Sequence, residues 1–203
     1  WSSDVCSSDL ISNGTNKLGD TGDYRIIGNS TPRFKYGITL DAAWKGFDFS
    51  IFMQGIGKRD LWLDGCYFWG ANGQGNEWQS TGFAEHWDFF RPEGDPLGAN
   101  LNSYYPRVNF SGDRNTKVQT RYLQNGAYLR LKNVQLGYTL PRVWTEKAGI
   151  SSVRVYVSGD NLATITSLSK IFDPEATGSL AGTGSGKLYP LQRVISVGVN
   201  VNF

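Results

Sequence analysis

The sequence predicts an all-β chain whose antiparallel, up-and-down strands form the C-terminal part of a large transmembrane β-barrel. Three observations carry this. Five stretches alternate apolar and polar residues with a period of 2, the repeat of a strand with one greasy and one wet face. Most are longer than the roughly 5–6 residues of an ordinary strand and suit the roughly 9–11 of a tilted membrane-spanning one. Short and long connections alternate between them, so the long ones gather at one end.

The last stretch, 191–203, is the clearest. Ile195, Val197, Val199, Val201 and Phe203 share one face, and Ser196, Gly198, Asn200 and Asn202 share the other. The chain stops on an aromatic at the end of that strand.

Composition narrows the class. The chain has 203 residues, 25 of them Gly, and a formal net charge of +2. That charge, with no basic run carrying interleaved aromatics, points away from nucleic acid. No run of about 18 apolar residues offers a membrane-crossing helix, but a barrel hides its signal in alternation. Cys6 and Cys66 form no CxxC pair and no disulfide framework, and His86 is the single histidine. A zinc site or a Ser-His-Asp triad has almost nothing to draw on, so neither a cofactor nor an enzyme is expected. No signal peptide opens the chain, and its start is expected to be processed or missing.

In order, residues 1–10 repeat Ser-Ser-Asp at 2–4 and 7–9. They read as a translated adapter oligonucleotide and are set aside as non-native. Residues 11–32 are polar and turn-rich, an extracellular loop; Asp20 and Asp23 lack the spacing of a calcium loop. From there 33–203 is barrel, with strands near 33–44, 47–55, 127–140, 151–165 and 191–203.

In the first of these, Phe34, Tyr36, Ile38, Leu40, Ala42 and Trp44 share a face. Lys45-Gly46 makes a two-residue turn, Gly supplying a positive φ. Phe47, Phe49, Ile51 and Met53 return on the apolar face, with Phe52 an exception among the polar residues. In the third, Leu129 and Leu131 are odd-numbered, whereas Val134, Leu136, Tyr138 and Leu140 are even. A slip of one residue flips every side chain unless a bulge absorbs it, so a bulge is expected near Lys132-Asn133. Pro141 ends that strand, and a helical turn is expected through Trp144. In the fourth, Val153, Val155 and Val157 face lipid, opposite Arg154, Tyr156, Ser158 and Asp160.

The long connections, 56–126 and 166–190, are punctuated by Gly and Pro. A structureless loop of the first one's length is foreign to a compact soluble domain and natural outside an outer-membrane barrel. Its aromatics include Trp62, Trp69, Trp78 and Trp87, the candidate ligand-binding residues. Packing of the loop on itself is the plainer role for them. Running the last strand towards the periplasm puts both long loops outside. It also sets Trp44, Phe47, Tyr138 and Phe203 at one height, where an aromatic girdle belongs. Five strands cannot close a wide barrel, and open edges in lipid leave backbone groups unpaired. A fragment of a larger barrel is therefore expected.

Several motifs then make the chain resemble a known family. They include Ile27-Gly-Asn-Ser-Thr-Pro-Arg-Phe-Lys-Tyr-Gly37, Tyr128-Leu-Arg-Leu-Lys-Asn-Val-Gln-Leu-Gly-Tyr-Thr-Leu-Pro141, Val153-Arg-Val-Tyr-Val-Ser-Gly-Asp-Asn-Leu162, Asp173-Pro-Glu175 and Val199-Asn-Val-Asn-Phe203. In this order they resemble the C-terminal part of SusC/RagA-type TonB-dependent transporters, found in the cell outer membrane of Bacteroidota. The resemblance implies a plugged barrel of about 22 strands. It implies import of oligosaccharides or peptides, a SusD-like surface lipoprotein as lid, and TonB as energy source through an N-terminal part this sequence lacks. Two other readings compete. One is a soluble all-β carbohydrate-binding module with a Trp-rich loop. The other is a glycoside hydrolase using Asp173 and Glu175, which Pro174 and the Gly/Ser-rich surroundings make a structural turn instead.

Overall fold

Alternation of this length leaves a chain one way to satisfy both its backbone and its faces, as neighbouring antiparallel strands. The computed structural model describes residues 25–63, 65–71, 82–109, 115–177 and 189–203. Its strands are β1 (Phe34–Trp44), β2 (Phe47–Lys58), β3 (Asp60–Leu61), β4 (Gln124–Asn125), β5 (Tyr128–Thr139), β6 (Ser152–Thr166) and β7 (Val194–Asn202). Five of them form one sheet in the order β1-β2-β5-β6-β7, antiparallel throughout, and β3 pairs with β4 apart from it. The up-and-down, all-β class read from the sequence is what the chain adopts. Residues 1–10, most of the 11–32 loop with Asp20 and Asp23, and Trp78 lie outside the described residues.

Both residues of the β1–β2 turn have positive φ, Lys45 at 47° and Gly46 at 87°. This mirror-image turn matches the twist of the strands it joins. Gly46 is also fixed by its neighbour: a Cβ there would lie 2.9 Å from the carbonyl oxygen of Thr139.

The bulge falls where the alternation slips. On β2, Met53 pairs with Leu131 and Phe52 with Asn133, leaving Lys132 without a partner residue. The extra residue turns Lys132 and Asn133 to the same side. Lys132 Nζ reaches Glu175 Oε2 at 2.9 Å, and Asn133 Nδ2 donates to Asp160 Oδ1 at 2.7 Å. Phe52 lies on that polar side because Gly37, diagonally across, leaves room for its ring.

Two strand ends differ from expectation. β2 continues to Lys58, carried past Gly55 by pairing with β5 as far as Ile56 and past Gly57 by pairing with β1. β7 begins at Val194 rather than Leu191. The backbone just before it is taken up elsewhere: Leu191 N donates to Asp173 Oδ2 at 3.1 Å, and Gln192 O accepts from Asn161 Nδ2 at 3.1 Å.

Register aligns the apolar residues into rows crossing all five strands. One row is Ala42, Phe49, Leu136, Val157 and Val197; the next is Trp44, Phe47, Tyr138, Val155 and Val199. This face is open, with Val197 72% and Ile195 70% exposed. The opposite face carries the row Asp41, Ser50, Gln135, Ser158 and Ser196. There Arg154 forms a two-pronged ion pair with Asp48 across β5, its Nε donating to Oδ1 at 2.9 Å. Gly137 lies beneath the pair, where a Cβ would meet Asp48 Oδ1 at 2.5 Å. Such a fork–fork pair ties three strands together on the wet side.

Candidate functional site

Among the described residues, the buried core is not under the sheet. It lies in the long connections beyond one end of it, where Leu61, Leu63, Phe68, Trp69, Tyr105 and Tyr122 from the β2–β5 connection enclose Leu168 and Phe172 from the β6–β7 connection. Phe68 is fully buried at its centre. Trp69 meets it edge-on at 5.0 Å between ring centroids, Tyr105 at 5.8 Å and Phe172, tilted, at 6.4 Å. Edge-to-face aromatic pairs like these add about 0.5–1.5 kcal/mol each beyond burial. The region that reads as irregular in sequence is therefore held by its own aromatics.

Polar bonds join the two connections as well. Arg59 Nη2 donates to Thr177 O at 3.2 Å. Ser169 Oγ donates to Glu85 Oε2 at 2.9 Å, and Tyr105 OH to Glu85 Oε1 at 3.3 Å. Below them, Arg130 of β5 is buried at 4% exposure against Asp173 at 7%, with Nη2 to Oδ1 at 2.7 Å. Its Nε donates to Thr164 Oγ1 at 2.8 Å, and Nη1 lies 3.4 Å from Glu175 Oε2. Burial works against the Asp173 carboxylate, but Arg130 and the backbone N–H groups of Glu175 and Leu191 outweigh it and hold its pKa below the ordinary range. Asp173 and Glu175 are thus engaged in fastening a turn to the sheet. Asp173 Oδ1 also accepts the N–H of Glu175 at 2.9 Å.

His86 is a strut in the β2–β5 connection. Its Nδ1 accepts the N–H of Phe83 at 3.0 Å, so its Nε2–H donates to the carbonyl of Phe68 at 3.0 Å. Burial lowers its pKa below the ordinary 6.5. The folded chain favours the neutral ring, so this contribution is whole above about pH 6.5 and is lost as pH falls through the lowered value. Protease susceptibility of this connection should therefore rise on acidification below pH 6.5. His86→Gln, which accepts and donates but does not titrate there, should abolish this part of the rise. An unchanged pH profile in the variant would remove His86 from the explanation. Among the described residues, no group of three or more His, Cys, Asp or Glu is placed to hold a metal ion.

The four tryptophans singled out from sequence have different places. Trp69 is a core residue at 4% exposure, and Trp62 packs against it at 6.0 Å between centroids. Trp87 is 60% exposed, edge-on to Phe89 at 6.1 Å, with the Arg91 guanidinium 5.4 Å over its ring. Trp69 and Trp87 meet at a cavity of about 310 Å³, together with Phe83, His86, Phe89 and Tyr105. Trp78 is outside the described residues.

A larger cavity, about 860 Å³, opens between the two connections. Tyr67, Phe83, Leu168 and Ile171 wall it, and Glu85 and Lys170 reach it from opposite sides of the chain order. Sequence reasoning missed this site. Its residues come from two connections separated by β5 and β6, and no local pattern joins them.

No family model matches the chain. Two curated relatives do, both from Formosa agariphila: TonB-dependent receptor P3, 32% identical over 193 residues, and TonB-dependent receptor P26, 28% identical over 193 residues. Each match covers 90% of this chain, and the chain spans 18% of each relative's length. Solved structures of the RagAB peptide transporter and of the RagAB peptide importer in its open-open state match at TM-score 0.65 and 26% identity. They cover 89% and 95% of this chain, which spans 18% and 20% of theirs. The open apolar face, the one-ended long connections and these matches agree with the sequence motifs: the chain is similar to a C-terminal barrel fragment of the SusC/RagA type of TonB-dependent outer-membrane transporter.

Proposed function

We propose that the chain forms part of an outer-membrane, TonB-dependent active importer of large nutrients, oligosaccharides or peptides, working with a SusD-like surface lipoprotein. The observation that carries this reading is the pair of apolar rows left open across five strands, with every long connection at one end. An exposed apolar patch of that extent needs a partner, and lipid suits a face that is apolar along its whole length. In this reading the connections 56–126 and 166–190 are extracellular, and Lys45-Gly46 and the 140–151 turn are periplasmic. Trp44, Phe47, Tyr138 and Phe203 then lie at the inner interface, where aromatic rings settle at headgroup level.

The loop assembly faces outward and offers its surface to ligand and to the lid lipoprotein. Trp87, exposed and backed by Arg91, is the residue we assign to ligand stacking, with Trp69 and Trp62 supporting it from the core. TonB would act through segments other than this one. The carboxylates at 173 and 175 hold a turn.

The experiment is made on the full-length receptor. It should migrate faster unheated than boiled in detergent gels, and uptake of its nutrient should stop when TonB is deleted. A protein that stays in the soluble fraction and migrates identically both ways would sink the reading and bring forward the soluble carbohydrate-binding module.

A further inference from the structure

At the end of the sheet away from the long connections, three pieces of chain form one continuous rim. Thr139 N donates to Gly46 O at 2.8 Å, which joins the Lys45-Gly46 turn to β5. Ser151 N donates to Asn202 O at 2.8 Å, which joins the 140–151 connection to β7. Within that connection a helical turn, Arg142–Thr145, runs into a tighter one, Glu146–Ala148. Thr145 is buried, but the large apolar side chains are left out: Val143 is 69% exposed, Trp144 66%, and Trp44 is exposed beside them in the rim. The rim is also basic. Across residues 44–47 and 140–151, Lys45, Arg142 and Lys147 stand against one acid, Glu146. Among the described residues, none of these three cations has an ion-pair partner. The nearby carboxylate on β2, Asp48, is already taken by Arg154. Lys45 Nζ lies 4.8 Å over the Trp44 ring, so cation and indole are presented together.

We propose that this rim is a binding site for an anionic glycerophospholipid, with Lys45, Arg142 and Lys147 drawing the headgroup and Trp44, Val143 and Trp144 entering the acyl boundary beside it. The proposal rests on the membrane placement of the sheet and goes beyond the importer reading, because it assigns the rim a preferred lipid. The rim continues the open apolar rows: Trp44 stands in register with Phe47, Tyr138, Val155 and Val199, so whatever covers that row also meets the rim. An acidic protein would answer the cations but not the hydrocarbon-sized face running on from them. A glycerophospholipid offers an anion and acyl chains at adjacent depths, which is the order the rim and the rows present. A zwitterionic headgroup carries a cation of its own and gains less from three more. Near an anionic membrane surface each Lys or Arg is worth about fivefold in affinity.

The test uses full-length receptor in detergent, titrated with dioleoyl phosphatidylglycerol or dioleoyl phosphatidylcholine. Native mass spectrometry counts the lipids bound. The charges are removed by Arg142→Gln, Lys147→Gln and Lys45→Asn, asparagine being a residue that tolerates the positive φ at position 45. Each change alone should weaken phosphatidylglycerol binding about fivefold, and the three together by more, with phosphatidylcholine binding unchanged. Arg142→Lys, which keeps the charge, should bind as the parent does. Added salt should shrink the gap between parent and triple variant. A triple variant that binds phosphatidylglycerol as the parent does overturns the site. So does an equal loss of both lipids, which would mark a disturbed rim and not a missing charge. Mobility of boiled and unboiled parent is scored separately: identical mobility sinks the membrane reading, while a heat-modifiable receptor whose lipid binding ignores the triple change sinks only this site.

Discussion

Val197→Arg is expected to destabilise the folded barrel by about 2–4 kcal/mol, the effect of a cation at the bilayer midplane on the lipid face. The neighbouring change, Ser196→Arg, should have far less effect. The two positions are adjacent in β7, so backbone propensity and depth are nearly matched and only the face differs. Val197 continues the row of Ala42, Phe49, Leu136 and Val157, whereas Ser196 continues that of Asp41, Ser50, Gln135 and Ser158. In the proposed membrane setting, an arginine at 196 can reach water and the polar wall, whereas one at 197 has hydrocarbon around it. Refolding of the full-length receptor into vesicles against denaturant measures both. Equal tolerance would remove the assignment of faces, and with it the membrane argument.

Arg130→Leu is the second large effect. Removing one partner of a buried, hydrogen-bonded charge pair typically costs about 3–5 kcal/mol, because the other charge stays behind unpaired. Here Asp173, already 93% out of solvent by its 7% exposure, would lose its cation, Thr164 would lose a donor, and Glu175 would lose a nearby positive charge. The damage should be local. The β6–β7 connection should become protease-sensitive between Thr166 and Leu191, while the strands keep their gel mobility. Arg130→Lys should rescue poorly, since a single ammonium cannot reach both Asp173 and Thr164 as the planar fork does. Arg130→Leu combined with Asp173→Leu should recover part of the loss by removing the stranded carboxylate. If the single variant resists protease as the parent does, the cluster is not what fastens this connection.

The alternation that survives in the sequence determines a great deal. Period-2 patterning, the Lys45-Gly46 turn and Pro141 locate all five long strands to within three residues at their ends. The slip between Leu131 and Val134 locates the bulge, because one inserted residue is the only local way to restore the apolar face. These features are legible because each is written in residues next to one another in the chain.

The loop assembly is different. The aromatics of 56–126 are visible as composition, but nothing local tells the buried Trp69 from the exposed Trp87. The sequence reading missed Glu85 and Lys170 altogether. They meet at one cavity only because Leu168 and Phe172 are drawn into a core built by the other connection. Likewise Arg130 finds Asp173 and Glu175 from the far side of β6. By itself, the sequence determined the strands, their faces and their order along the chain, since alternation and turn chemistry act over a few residues. Only the tertiary structure decided which side chains form the core and which line the cavities, since those are contacts between segments far apart in the chain, set by packing and not by any repeat.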